Sequence, residues 1–272
     1  MPDSVESDSG VAEFYSRDVA YVWNRTDTEA RIEGAVFRRV LAEHLPPASS
    51  VVDIGGGNGR HAFDLAAAGH RVRMCDLTPA LVDDAKERNK ITPHPLDEIV
   101  VADALELPWA DDSVDAGLML GPMYCIPGEE ERVAALRELT RVVRPGGTVF
   151  VQFFSRVGGL RSVMYWAFHQ AGIFDWREYL RTGIFNGDGV PEFHRVFHYW
   201  HSIGQIEREI QLVGLARQAL YGMDGPAPEA QELIGDAPDE LVDQWAEIVL
   251  ALSRDPATLC SSNHLLLVAR VP

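Results

Sequence analysis

Val51-Val52-Asp53-Ile54-Gly55-Gly56-Gly57-Asn58-Gly59-Arg60 is the stretch on which the reading of this chain turns. A short apolar run ends in an acid, glycines follow, and a helical pattern begins. Such a strand–turn–helix lets a ligand approach bare backbone while the helix N-terminus presents unbonded N–H groups. The glycines are spaced Gly55-x-Gly57-x-Gly59, and Arg60 stands where a dinucleotide fingerprint would place its last glycine. Asp53 turns a carboxylate into the loop, where it repels a pyrophosphate and can hold an ammonium group. The expected ligand therefore carries a positively charged end.

Outward from the loop, strands and helices alternate. Strands are expected at 50–54, 71–76, 98–103, 114–120, 148–154, 215–220 and 264–271. Helices are expected from the Thr26–Glu29 capping box to Pro46, over 59–68, from Pro79, over 129–143, from the Ser202–Gln205 capping box to Gly214, and after Pro238. That last helix carries Leu241, Trp245, Ile248, Val249 and Leu252 at core spacing. The alternation implies an α/β fold, a doubly wound parallel sheet with helices on both faces, and its central strands are unbroken apolar runs as double burial requires. Residues 1–45 read as an N-terminal helical segment, 46–155 and 202–272 as two parts of one core, and 156–201 as an insertion. The insertion holds eleven of the 24 aromatics and follows a strand's C-terminal end, where open α/β sheets bind ligands. A lid over an acceptor is one reading of it; a local aromatic core is the other.

Composition narrows the partners. The 272 residues carry 24 Lys and Arg against 41 Asp and Glu, a formal net charge of −17, which repels phosphate backbones. The densest basic cluster, Arg137, Arg141 and Arg144, reads as a solvated helix face. Cys75, Cys125 and Cys260 are too far apart for a disulfide framework or a zinc site and read as reduced, mostly buried thiols. No apolar run approaches membrane-spanning length, and the acidic, polar start has no basic leader region. A cytoplasmic protein with neither membrane nor nucleic-acid partner is expected.

Asp53-x-Gly55-x-Gly57-x-Gly59 resembles the first motif of the class I S-adenosylmethionine-dependent methyltransferases, in its small-molecule branch. Further matches follow in order: Asp76-Leu77, Asp103-Ala104-Leu105, SVDAGLMLGPMY (113–124) and LRELTRVVRPGGTVF (136–150). The resemblance runs from about residue 14 to residue 154, with 264–270 matching the final strand. It implies a Rossmann-like seven-stranded sheet and S-adenosylmethionine as cofactor. By the same resemblance, Asp53 takes the methionyl ammonium, directly or through water, while Gly55, Gly56, Gly57 and Gly59 let the backbone close on the methionyl tail. Asp76, with Leu77, receives the ribose hydroxyls, Asp103 the adenine amine beside Ala104 and Leu105, and Leu120 lies under the sulfonium. Tyr15 and Tyr21 resemble the tyrosine-rich segment that folds over the cofactor. Capping of helix 59–68 is the competing role for Asp53, support of the helix at Pro79 for Asp76, and ordinary packing for the two tyrosines.

The implied reaction moves a methyl group to a nitrogen or oxygen of a small acceptor. Cys125 stands where sequences of this branch often have histidine, so a base must come from elsewhere. Tyr124, His198 and His201 are the candidates. His194, His198 and His201 share a face only if helical, and RVFHYW reads as extended chain, so metal ligation is not expected. Methylation of RNA or protein, or structural use of the cofactor in another reaction, are the rival readings.

Overall fold

A strand buried on both faces must be apolar throughout, and the centre of the sheet is assembled from such runs. The computed structural model describes residues 11–13, 15–16, 31–167, 175–185, 198–225 and 237–272. β1 (Ser50–Ile54), β2 (Arg71–Asp76), β3 (Glu98–Val101) and β4 (Val114–Met119) run parallel in the order β3-β2-β1-β4. β5 (Val143–Ser155) lies parallel beside β4. β9 (His264–Arg270) is antiparallel both to β5 and to β8 (Ala216–Gly222), and so sits between them. All seven expected strands are present in this doubly wound α/β sheet. β3 stops at Val101 and not at Asp103, because Asp103 opens a turn: its Oδ1 accepts from the Leu105 N–H at 2.9 Å.

Helices α1 (Arg31–His44), α2 (Arg60–Ala67), α3 (Pro79–Asn89) and α9 (Asp239–Leu252) bury Val36, Phe63, Val82 and Ala246 on one face, against Val51, Leu118 and Phe150. α5 (Glu129–Val142) and α8 (Ile203–Leu212) bury Leu136, Leu139 and Ile206 on the other, against Val52, Met119 and Val151. Neighbouring strand residues thus feed opposite cores, and each fully buried aliphatic or aromatic side chain contributes about 1.5–3 kcal/mol. The Thr26–Glu29 box lies outside the described residues. The Ser202–Gln205 box forms as expected, with Gln205 N–H donating to Ser202 Oγ and Ser202 N–H to Gln205 Oε1.

Three expectations from side-chain pattern are corrected. On α9 the buried seam is Val242, Ala246 and Val249, whereas Leu241, Trp245, Ile248 and Leu252 are exposed. The apolar stripe is wider than one face, and small Ala246 lets α1 approach, with Arg31–Asp239 and Arg39–Asp243 ion pairs holding the two helices together. Arg141 is no solvated residue: it donates to Glu138, Asp111 and the carbonyls of Leu107 and Trp109, and Arg144 pairs with Asp115. Of the cysteines, Cys75 is buried, Cys125 half-buried and Cys260 exposed, all as free thiols.

The segment after β5 extends the sheet. β4 leaves β5 at the Met119–Val151 pair, while β5 continues to Ser155. β9 holds one edge of that extension as far as the Phe154–His264 pair. β7 (His198–His201) therefore takes the edge that β4 vacates, pairing Trp200 with Phe154 and His201 with Ser155. β6 (Ile184–Phe185) pairs with β7. α6 (Arg156–Ala167) and α7 (Trp176–Thr182) lie between β5 and β6 in the chain, and Tyr179, Phe185 and Trp200 join Phe154 in a small aromatic core. The local-core reading of the aromatic segment holds for these rings; Phe168, Phe174, Phe193 and Phe197 lie outside the described residues.

Candidate cofactor and acceptor sites

The glycine loop closes β1 onto α2 through backbone only glycine adopts easily. Gly55 has φ +68°, and a Cβ there would lie 2.7 Å from the Pro122 ring. Gly59, the residue before α2, has φ +85° and would meet Phe63 at 2.8 Å. Asp53 lies directly under the turn, since a Cβ on Gly56 would come within 2.9 Å of its Oδ2. That oxygen is buried and has no hydrogen-bond partner, while the carboxylate also accepts from the Ala62 N–H in the first turn of α2. Capping and an open acceptor atom thus coexist in one side chain. Burial, helped by the nearby Asp76 charge, raises the Asp53 pKa to about 7.

Asp76 ends β2 and straps the loop from the side. Its Oδ2 accepts from the Gly57 N–H and its Oδ1 from the Thr78 N–H, each at 2.8 Å. Burial raises its pKa, and the two amide bonds work against that rise. Leu77, Asp103, Ala104 and Leu105 are half-buried on the neighbouring turns. Leu120 is buried, and a Cβ on Gly121 would sit 3.2 Å from the Gly55 carbonyl, so the β4 end abuts the glycine loop. Tyr15 is half-buried in a helical turn, and Tyr21 falls outside the described residues.

Beyond β4 the same rim changes character. Tyr124, on the short helix α4 (Pro122–Cys125), stacks on Phe154 with ring centres 3.9 Å apart. His198, at the start of β7, lies 6.0 Å from the Tyr124 ring and 5.3 Å from Phe154. The structure therefore brings Tyr124 and His198 together beside the end of β4. It does not bring His201 with them. Residues three apart on a strand face opposite sides, so the His201 ring is fully buried against Phe153 and 3.4 Å from Glu209. Burial drives its pKa down to about 4, which removes His201 as an acceptor-facing base.

A polar group that sequence reasoning missed completes this half. Glu33 of α1 accepts from Gln152 Nε2 at 2.6 Å and lies 3.1 Å from His264 Nδ1. Asp224, just after β8, is buried and accepts from the Asn263 and His264 N–H groups. Burial raises its pKa to about 6. His264 in turn lies 4.9 Å from Phe154. These residues come from three distant segments, so no local motif announces them. Among the described residues, no group of three or more His, Cys, Asp and Glu could hold a metal ion, and no helix is long and apolar enough to cross a membrane.

The parallel part of the sheet thus carries a glycine loop and three acids at the ends of successive strands, an arrangement suited to a nucleoside. This chain matches the methyltransferase domain family over residues 52–151. It is 36% identical over 110 residues to a tRNA (carboxymethyluridine(34)-5-O)-methyltransferase of Xenopus tropicalis, covering 39% of this chain and 16% of that protein. To the demethylmenaquinone methyltransferase of Beutenbergia cavernae it is 36% identical over 122 residues, 44% of this chain and 48% of the relative. The aligned segment thus spans half or less of each of these two relatives. A solved methyltransferase from Thermotoga maritima shares the fold, with a TM-score of 0.63 at 15% identity over 96% of this chain and 99% of that one. The cofactor of the class is S-adenosylmethionine, and the residues present fit it: the partnerless Asp53 oxygen under a glycine turn suits an ammonium, not a phosphate.

Proposed function

We propose that this chain transfers the methyl group of S-adenosylmethionine to a nitrogen or oxygen of a small molecule, a specialised metabolite. The reading places it in the cytoplasm with neither nucleic acid nor membrane as partner. Asp53 with Gly55, Gly56, Gly57 and Gly59 would hold the methionyl end, Asp76 and Leu77 the ribose, and Asp103, Ala104 and Leu105 the adenine. Leu120 would form the wall below the sulfonium, and Tyr15 and Tyr21 would cover the cofactor. When bound, the cofactor supplies a methyl group on a positively charged sulfur, open to in-line displacement. The chain's part is to position the acceptor, which can lower the barrier by about 7–11 kcal/mol. Tyr124 and His198 would meet the acceptor, His198 taking a proton where the nucleophile is a hydroxyl.

The observation that carries the small-molecule reading is the seating of β7 on the edge vacated by β4. It groups the rings of His198, Tyr124 and Phe154, with the Tyr124 hydroxyl close to Gly121, so among the described residues the rim past β4 offers an aromatic wall and no basic groove. The −17 charge and the engagement of Arg132, Arg141 and Arg144 within the protein speak against a polyphosphate acceptor. Incubation with methyl-labelled cofactor and, separately, a metabolite extract, bulk tRNA and a protein extract tests this. Label in a small molecule, with S-adenosylhomocysteine released, is expected. Label in tRNA or protein would replace the acceptor class, and cofactor binding without any transfer would point to another reaction on the same fold.

A further inference from the structure

Arg132 puts a guanidinium where a sheet protein normally has apolar core: it lies on α5 with 1% of its surface exposed. Its fork reaches three structures at once. Nε and Nη2 donate to Glu209 Oε1 of α8 at 2.9 and 2.8 Å. Nη1 donates to the carbonyls of Ile126 and Pro127 at 3.0 and 2.7 Å, the two residues that directly follow α4 and its Tyr124. The planar face of the group covers the Tyr199 ring, with Cζ 3.5 Å from the ring centre. Tyr199 is the strand neighbour of His198 and faces the opposite side of β7. One side chain therefore grips the segment behind Tyr124 and the residue behind His198, from the side of the sheet away from both.

A buried ion pair is weak evidence for stability, because desolvation offsets most of the attraction. Burial acts to raise the Glu209 pKa, but its contacts with His201 and Arg132 outweigh that, and its carboxyl stays below the ordinary range. The carbonyl bonds and the stacked ring need a flat, forked cation, a requirement that lysine does not meet. We propose that Arg132 is a positioning residue for methyl transfer, fixing the spacing of Tyr124 and His198 against which the acceptor is seated. The inference rests on the acceptor site proposed above and adds the device that sets its width.

The test uses the full chain and three variants. The double variant R132M/E209M removes both charges together, so no unpaired charge stays buried and the fold is expected to survive. R132K keeps the charge and loses the fork, and Tyr199→Leu removes the ring and leaves the ion pair. The readouts are S-adenosylhomocysteine affinity by calorimetry, the ¹³C-labelled His198 ring resonance, and KM and kcat for the acceptor found by the labelling screen. For all three, cofactor affinity should stay within about twofold, the His198 resonance should lose the ring-current shift of Tyr124, and kcat/KM should fall about 10²-fold, the scale of a 1 Å misplacement. An unchanged His198 resonance and unchanged KM in folded R132K and Tyr199→Leu would overturn the proposal. Failure of the native chain to methylate anything would count against the methyl-transfer reading alone, because the His198 resonance judges the coupling without an acceptor.

Discussion

The two halves of the sheet rim are built by different rules. Over β1, β2 and β3 the proposed site is backbone and acid, each candidate residue lying at the end of its own strand: Asp53, Asp76 and, one turn on, Asp103. Over β4, β5 and β9 it is ring and imidazole, drawn from residues 33, 124, 154, 198, 224 and 264. A cofactor of fixed shape is met by local turns that short sequence can encode. The proposed acceptor wall is built by tertiary pairing, and it meets the loop where Pro122 and Gly121 abut Gly55.

The division can be broken by crossed effects. The largest expected change is on the acceptor half: His198→Ala should lower turnover by about 10²–10⁴-fold, the range for losing a general base, with cofactor affinity nearly unchanged. A pH–rate profile on both proteins decides whether a proton is involved, since matching profiles would leave positioning as the only role. On the cofactor half, Asp53→Asn removes a charged acceptor. It should weaken S-adenosylhomocysteine binding by about 1.5–3 kcal/mol, measured by calorimetry. Asp76→Ala should cost about 1–3 kcal/mol in the same assay, the cost of leaving the ribose hydroxyl pair without its acceptor. Loss of acceptor turnover in either acid variant at saturating cofactor would show that the halves are not separate.

The smallest effect sharpens the comparison through protons. Asp53 and Asp224 are buried carboxyls, one in each half, with pKa values raised to about 7 and about 6. A raised carboxyl is protonated more readily in the folded chain than in the unfolded one. The part of the unliganded protein's stability that these two carboxyls supply should therefore be complete below about pH 4 and be lost as pH rises to about 7, read as the difference between the native chain and its Asp53→Asn and Asp224→Asn variants. An ammonium at Asp53 favours the ionised form, so cofactor binding near pH 6 should release a proton and tighten as pH rises to 7. Calorimetry in buffers of different ionisation enthalpy reads that release. Asp53→Asn should abolish it and Asp224→Asn should leave it intact.

These differences also explain what could be read from the chain alone. The glycine spacing, the strand-end acids and the seven apolar runs are local patterns, and the structure has those strands where the pattern placed them. Extended chain already separates His198 from His201, but which of the two faces Tyr124 depends on how β7 seats on β5, and no local pattern carries that. The Glu33–Asp224–His264 group left no trace, because it exists only once β9 lies beside β5 and α1 crosses above them. On α9, hydrophobicity alone could not tell the seam of Val242, Ala246 and Val249 from the bulkier stripe beside it, since the choice depends on how close α1 can come.

β9 lies between two strands that are synthesised before it. While the ribosome makes everything from residue 156 to residue 263, β5 has one long edge with no strand to cover it. Open edges of this kind recruit strands from other chains. Crowded polysomes expressing this protein should therefore depend on a chaperone that shields β5, and the dependence should end when His264–Arg270 leaves the exit tunnel and closes the gap.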